Sequence, residues 1–186
     1  EITEICHEEK SFIKVKVARG KHTFTIANVY VPAKRTEARI DYLNQLRHKL
    51  DDNTLAVGDW NCVPDRMLDV ESKNPMNYNN LGAALLQQIM GGLGLIDVRR
   101  EQLGSDKEYT RVGDYNHHIT ATRLDRWYTP GHMKQMQTYE VRNDFVFKKQ
   151  PSDHKMVVLT LDDKLGDKGR DRTTCKTPPW RCCATP

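Results

Sequence analysis

The sequence has no apolar run near the ~20 residues that a membrane-spanning helix requires, which excludes a helical membrane anchor. It opens on Glu1 to Lys10, an acidic and polar stretch without the pattern of a secretory signal. No segment repeats, which sets aside solenoids and propellers. Cysteine is scarce and unpatterned. Cys6 and Cys62 are isolated, and Cys175, Cys182 and Cys183 cluster without paired C-x-x-C spacing. An odd count of five with no regular spacing excludes a disulfide framework and fits a reducing compartment. Adjacent cysteines also make poor tetrahedral ligands, so no zinc site is expected there.

The 186 residues suffice for one ordinary domain. A net charge of +4 leans mildly toward a polyanionic partner. Alternation of Ile13, Val15 and Val17 with Lys14 and Lys16 predicts a strand. Arg19-Gly20-Lys21 reads as a turn into a return strand from Thr23 to Val31, which Pro32 ends. Ile40, Leu43, Leu46 and Leu50 predict a helix over 36–50, with Thr36 placed to cap it. Leu55 to Asp59 reads as a short buried strand, 61–80 as a surface loop, and Leu81 to Met90 as a second helix stopped by Gly91-Gly92. Residues 101–120 read as polar and irregular. Arg123 to Tyr128, Met136 to Arg142 and Met156 to Leu161 are three further strand candidates. Beyond Leu161 a charge-dense run leads into a Cys/Thr/Pro-rich ending, so the chain divides into a domain over 1–163 and a disordered tail over 164–186.

Two short signals at the ends of apolar runs carry chemistry. Leu55-Ala56-Val57 runs into Gly58-Asp59-Trp60-Asn61, and Ser152-Asp153-His154 stands just before Val157-Val158-Leu159. A strand ending in Asp-x-Asn sets a carboxylate and a carboxamide on one face, because strand side chains alternate. Asp-His beside another strand end adds a second carboxylate and an acid/base. Hard oxygen ligands, an amide and a histidine in one cleft are what metal-assisted phosphodiester hydrolysis needs. Two more segments join them: Asn28-Val29-Tyr30-Val31-Pro32, with an ionisable phenol at a strand end, and Arg123-Leu124-Asp125-Arg126.

In this order and setting the four segments resemble the endonuclease/exonuclease/phosphatase superfamily, and within it the apurinic-type endonuclease domain of non-LTR (LINE-type) retrotransposons. The resemblance covers about Phe12 to Leu161. Glu108-Tyr109-Thr110, Leu68-Asp69 and Gly94-Leu95-Ile96-Asp97-Val98 add local matches. The resemblance implies an α/β fold, a four-layer α/β/β/α sandwich of the DNase I-like type. It also implies roles. Asp59 activates the attacking water, Asn61 holds the phosphate, and His154 stabilises its developing charge. Asp125 accepts from His154 and fixes its tautomer, and Tyr30 lies on the phosphate or leaving-group side. Asp59, Asn61 and Asp153 are the metal-side residues for Mg²⁺ or Mn²⁺. Thr110, Arg111 and Ser152 face the substrate. DNA is the implied partner, the nucleus the implied place, and a reverse transcriptase follows in the parent element; Lys168-Gly169-Arg170 resembles the start of that linker.

The family pattern opens with strands that supply an early Asn and then a metal-binding Glu. Tyr30 lies too close to Glu1 for that portion to be present, so the domain is expected to be truncated at its N-terminus and weak or inactive as a nuclease. Glu1, Glu4, Glu8 and Glu9 do not stand in, since none lies on an apolar-alternating strand. Alternative functions are a catalytically dead nucleic-acid-binding remnant and a phosphatase of a small molecule or lipid head group. Blander readings stand beside several residues. Asp59 and Asn61 suit a turn; Asp125 has Arg123 and Arg126 as ion-pair neighbours; Tyr30 shares its strand face with Phe24 and Ile26. Arg99, Arg100, Arg111, Arg123 and Arg126 read either as a phosphate-tracking rim or as surface charge.

Overall fold

In a computed structural model the described residues are 1–8, 10–19, 22–34, 36–115, 118–142 and 152–161. The tail over 164–186 and its cysteines lie outside them, as do Gly20 and Lys21 of the expected turn. In chain order the elements are β1 (Ile2–Glu8), β2 (Phe12–Arg19), β3 (His22–Tyr30), α1 (Glu37–Leu46), β4 (Thr54–Asp59), α2 (Arg66–Asp69) and β5 (Val70–Glu71). There follow α3 (Ala83–Gly92), β6 (Leu95–Asp97), α4 (Val98–Leu103), β7 (Arg111–Tyr115), β8 (His118–Thr122), β9 (Asp125–Pro130), β10 (Gln137–Arg142) and β11 (Met156–Leu161).

The main sheet has six strands in the order β1-β2-β3-β4-β9-β6. Only β3 and β4 run parallel, joined by α1; the other pairs are antiparallel. One sheet face packs on α1 and α3. There Phe12, Ala27, Val29, Val31 and Ala56 meet Leu43, Leu46, Leu86, Ile89 and Met90, all buried. Burial of this kind stabilises by roughly 1.5–3 kcal/mol per large apolar side chain. Gly58 is required where β4 lies against β3: a Cβ there would stand 1.8 Å from the Val29 carbonyl oxygen. The opposite sheet face is covered by the β10–β11 ribbon, whose Val157 carbonyl accepts from Trp127 Nε1 at 3.4 Å. Toward β1 and β2 this face is open, leaving Ile5 and Ile13 exposed. Helices outside one sheet and a second sheet on its far side make an α/β layered sandwich.

Several sequence expectations change. The first eight residues are not merely a polar lead: Ile2–Glu8 is a strand. Ile2 and Ile5, three apart, miss the period-2 pattern because a register shift lies between Ile2 and Glu4, so they oppose Val17 and Val15, which share one face. The "irregular" 101–120 stretch contains β7 and most of β8, and the 61–80 loop contains α2 and β5. Helix α1 buries Arg39, Leu43 and Leu46, with Ile40 only part-buried, so its inner face is turned one position from the leucine pattern. Thr36 occupies the cap position of α1, but its side chain makes no capping hydrogen bond. The capping roles fall instead to Asp65, which accepts from the Met67 and Leu68 amides, and to Asp97, which accepts from the Arg100 amide.

Arg123 and Arg126 are neither rim nor surface: both side chains are fully buried. Arg123 donates from Nε to Asp69 Oδ1 at 2.7 Å and from its two Nη atoms to the Asp97 carboxylate at 2.9 and 2.8 Å. Arg100 also donates to Asp69. Arg126 donates from Nη1 to the Cys62 and Arg123 carbonyls. Arg99 is engaged by Glu108 through two 2.6 Å bonds. Burial alone pushes the Asp69 carboxyl up, but the hydrogen bond and charge of Arg123 outweigh it and hold the group below its ordinary value. A depressed carboxyl contributes stability above its unfolded value, and that stability is lost as pH falls through the folded one. Asp69→Asn should therefore lower the unfolding free energy by about 3 kcal/mol, since Arg123 stays buried with only Asp97 as a carboxylate partner. Urea titrations over an acid pH series check this, with the variant losing less stability than the parent across the carboxylate range.

Candidate active site

The site is built where β3, β4 and β9 end side by side. Tyr30 pairs with Asp59 in the parallel ladder, and Asp59 pairs with Asp125 in the antiparallel one. Paired residues point to one face, so sheet register alone places phenol and two carboxylates in a row. That face is the one opposite α1 and α3. Beyond Asp59 the chain turns sharply. Asn61 has φ +49°, a left-handed conformation that Asn tolerates better than most residues. Its amide donates to Asp59 Oδ1 at 3.0 Å. Its Nδ2 donates to Asp59 Oδ2 at 3.1 Å and to the Val31 carbonyl at 2.8 Å. Trp60, fully buried, fixes the turn from beneath: its amide donates to the Leu124 carbonyl and its indole N–H to the Arg126 carbonyl. The Asp-Trp-Asn turn is thus structural and site-forming at once.

His154 arrives from the far end of the sequence. Its Nδ1 lies 2.9 Å from Asp125 Oδ2. Ligand atoms of Asp59, Asp125 and His154 all lie within 4.8 Å of one another. Burial and then the neighbouring Asp125 charge raise the Asp59 carboxyl above its ordinary value. The hydrogen bond that His154 donates to Asp125 leads the causes that raise its imidazole, against the opposing effect of burial. Asp59 and His154 open into a cavity of about 350 Å³, lined also by Tyr30, Asn61, Arg39, Tyr78, Arg111 and Asp153.

Tyr30 is 46% exposed, so it belongs to the cavity wall and not the core. Asp125 faces His154, not an arginine. Asp153 accepts from Arg111 Nε at 2.8 Å and lies outside the Asp59–Asp125–His154 group. Ser152 is exposed, and its Oγ accepts from the His154 amide at 3.1 Å. Thr110, expected to face substrate, is fully buried; its hydroxyl takes the backbone amides of Leu124 and Asp125. Arg39 was not anticipated. It is buried and donates to the Pro32, Ala33 and Leu81 carbonyls, shaping the cavity floor. An arginine between Ala38 and Ile40 in a helix carries no signal of this in sequence.

No protein-family model matches the chain. A curated relative does: a transposon TX1 protein of 149 kDa from Xenopus laevis, uncharacterised, 27% identical over 135 residues. That match covers 70% of this chain and 10% of the relative, so the chain spans about a tenth of that protein's length. Among solved structures, an AP endonuclease from Archaeoglobus fulgidus superposes with a TM-score of 0.66 at 23% identity, over 87% of this chain and 72% of its own. The 3′ phosphatase NExo from Neisseria, bound to a product DNA hairpin, gives 0.64 at 17% identity, over 82% and 65%. The endonuclease domain of TRAS1, a telomere-specific non-LTR retrotransposon, gives 0.60 at 17% identity, over 85% and 68%. The chain has the DNase I-like fold of these structures. Within that fold the acidic cluster at the strand ends is able to hold a metal ion: the carboxylates of Asp59 and Asp125 converge, and hard oxygen donors suit a hard divalent cation. Among the described residues no helix is long and apolar enough to cross a membrane.

The raised imidazole gives a direct check. Asp125→Asn removes the carboxylate while keeping the side-chain size, so the His154 titration followed by NMR should move down toward the ordinary histidine value. The accompanying stability is present in full below the unfolded value and lost as pH rises through the folded one. The variant should therefore show a flatter stability profile on the alkaline side of that range.

Proposed function

We propose that residues 1–163 form a metal-dependent phosphodiesterase domain of the DNA-nicking endonuclease type, belonging to a retrotransposon and weak or inactive as this chain alone. The observation that carries the reading is the convergence of Asp59, Asn61 and His154 on one cavity, with Tyr30 at its wall and Asp125 bonded to His154 behind it. The similarity to a transposon protein and to AP endonuclease and retrotransposon endonuclease folds supports the direction. DNA as substrate rests on the DNA-bound neighbour and on the mild positive charge. A nuclear place of action and a downstream reverse transcriptase belong to the same reading of a mobile element.

Each residue has a defined task. Asp59, raised by burial and by Asp125, is tuned toward taking a proton from water. The Asn61 carboxamide, fixed by bonds to Val31 and Asp59, presents a rigid polar edge to the phosphate. His154, held in orientation by Asp125, offers Nε2 to the developing charge on phosphate oxygens. Tyr30 stands opposite, on the leaving-group side, and Arg111 and Ser152 border the phosphate path. Asp59, with Asn61 and Asp153 as further oxygen donors, would hold Mg²⁺ or Mn²⁺, whose charge neutralises the phosphate when bound. Arg111 already engages Asp153, and the low activity expected follows from the family's early metal-binding Glu having no counterpart among these residues.

The test combines plasmid nicking with Mn²⁺ binding followed by water-proton relaxation. Slow nicking, abolished by EDTA and reduced about 100-fold or more in Asp59→Ala, is expected, together with Mn²⁺ binding that weakens in the same variant. Nicking that survives EDTA, or Mn²⁺ binding indifferent to Asp59→Ala, overturns the reading.

A further inference from the structure

The Asp125–His154 hydrogen bond joins two segments 29 residues apart. Among the described residues no strand ladder connects β9 to 152–155, so sheet pairing does not set their separation. One residue touches both. Thr110 Oγ1 accepts from the amides of Leu124 and Asp125, each at 3.0 Å. The Thr110 carbonyl accepts from the Lys155 amide at 2.6 Å, one residue past His154, and the Thr110 amide donates to the Thr122 carbonyl at 3.0 Å. The neighbours extend the join: Arg111 bridges to His154, and the Val112 amide donates to the Asp153 carbonyl. The Thr110 side chain is fully buried and has no face on the cavity.

We propose that Thr110 is a positioning residue, a clip whose hydroxyl fixes the Asp125 backbone and whose carbonyl fixes the His154 strand, so that carboxylate and imidazole meet at hydrogen-bond distance. The kinetic part of this rests on the phosphodiesterase reading above; the structural part does not. A hydroxyl has two acceptor lone pairs, enough for both amides. Valine keeps the shape and removes the acceptor, which leaves two buried amides unsatisfied. The cheapest relief is for the Leu124–Asp125 backbone to shift. A hydrogen bond weakens steeply as its angle closes, and a misplacement of about 1 Å in a catalytic group is worth about 100-fold in rate. Serine keeps the acceptor and loses only a methyl group.

The experiment uses the full chain with Thr110→Val, Thr110→Ser and Asp125→Asn. By NMR, the wild-type chain should show a slowly exchanging, downfield His154 Nδ1–H proton. That signal should be absent in Asp125→Asn, lost in Thr110→Val and retained in Thr110→Ser. In nicking assays Thr110→Val should lower kcat about 10- to 100-fold and leave KM within about twofold, with Thr110→Ser near wild type. A folded Thr110→Val that keeps the imidazole proton and its kcat overturns the clip. So does a rise in KM at unchanged kcat, which would put Thr110 on DNA instead. Should the valine variant fail to fold, hydrogen exchange of the Leu124 and Asp125 amides in the wild-type chain decides: protection supports the clip and loop-like exchange overturns it. A wild-type chain that binds no metal and cuts no DNA counts against the functional reading alone, because the NMR and exchange results need no activity.

Discussion

The buried guanidinium of Arg123 is the constraint on which the site depends. It reaches Asp69 at the end of α2 and Asp97 at the start of α4, while its own amide donates to the Asp69 carbonyl. The β5–β8 and β6–β9 ladders are thereby locked to one point immediately before Leu124 and Asp125. A charge so placed costs several kcal/mol to desolvate and is tolerated only with full hydrogen bonding. All three of its nitrogens have carboxylate partners. The planar fork matters: a lysine has no geometry to satisfy Asp69 and Asp97 in different directions. Asp125 is thus anchored from behind by ionic bonds and from the side by Thr110.

What the sequence disclosed follows a physical divide between local and distant causes. Gly58-Asp59-Trp60-Asn61 is legible because its chemistry is contained in four residues, a strand end and an Asx turn, while the need for glycine comes from Val29 on the next strand. The strands with clean alternation were legible for the same reason. Arg123 and Arg126 misled, because charge in sequence reads as solvent-facing and their partners at Asp69 and Asp97 lie far along the chain. β7 and β8 were illegible because they form a small satellite sheet with β5 and have no clean period-2 apolar pattern. Thr110 was marked as a functional position, but its orientation toward the backbone is a tertiary fact that no motif carries.

The site also shows how one sheet register does several tasks. Tyr30, Asp59 and Asp125 are consecutive rungs across three strands, so their spacing is the strand spacing and needs no loop to set it. Loops supply what must approach from above the sheet end: Asn61 by a left-handed turn and His154 by the bridge to Arg111. The rigid elements hold the acids, and the polar donors are pinned individually by hydrogen bonds. That division accounts for the crowding of side-chain to backbone bonds around residues 59–63 and 110–126.

The two carboxylates have a further consequence for how the chain acquires its structure. Asp59 and Asp125 are brought together by β4–β9 pairing, and the Asp125 charge disfavours that of Asp59. The imidazole that hydrogen-bonds Asp125 comes from the last described strand region, which leaves the ribosome after every other element of the site. During synthesis there is an interval in which the central strands can pair while that imidazole is still unmade. The hydrogen bond from His154 to Asp125 is therefore the last contact of the described site that synthesis makes possible, and it ties the central β4–β9 pair to the end of the described chain.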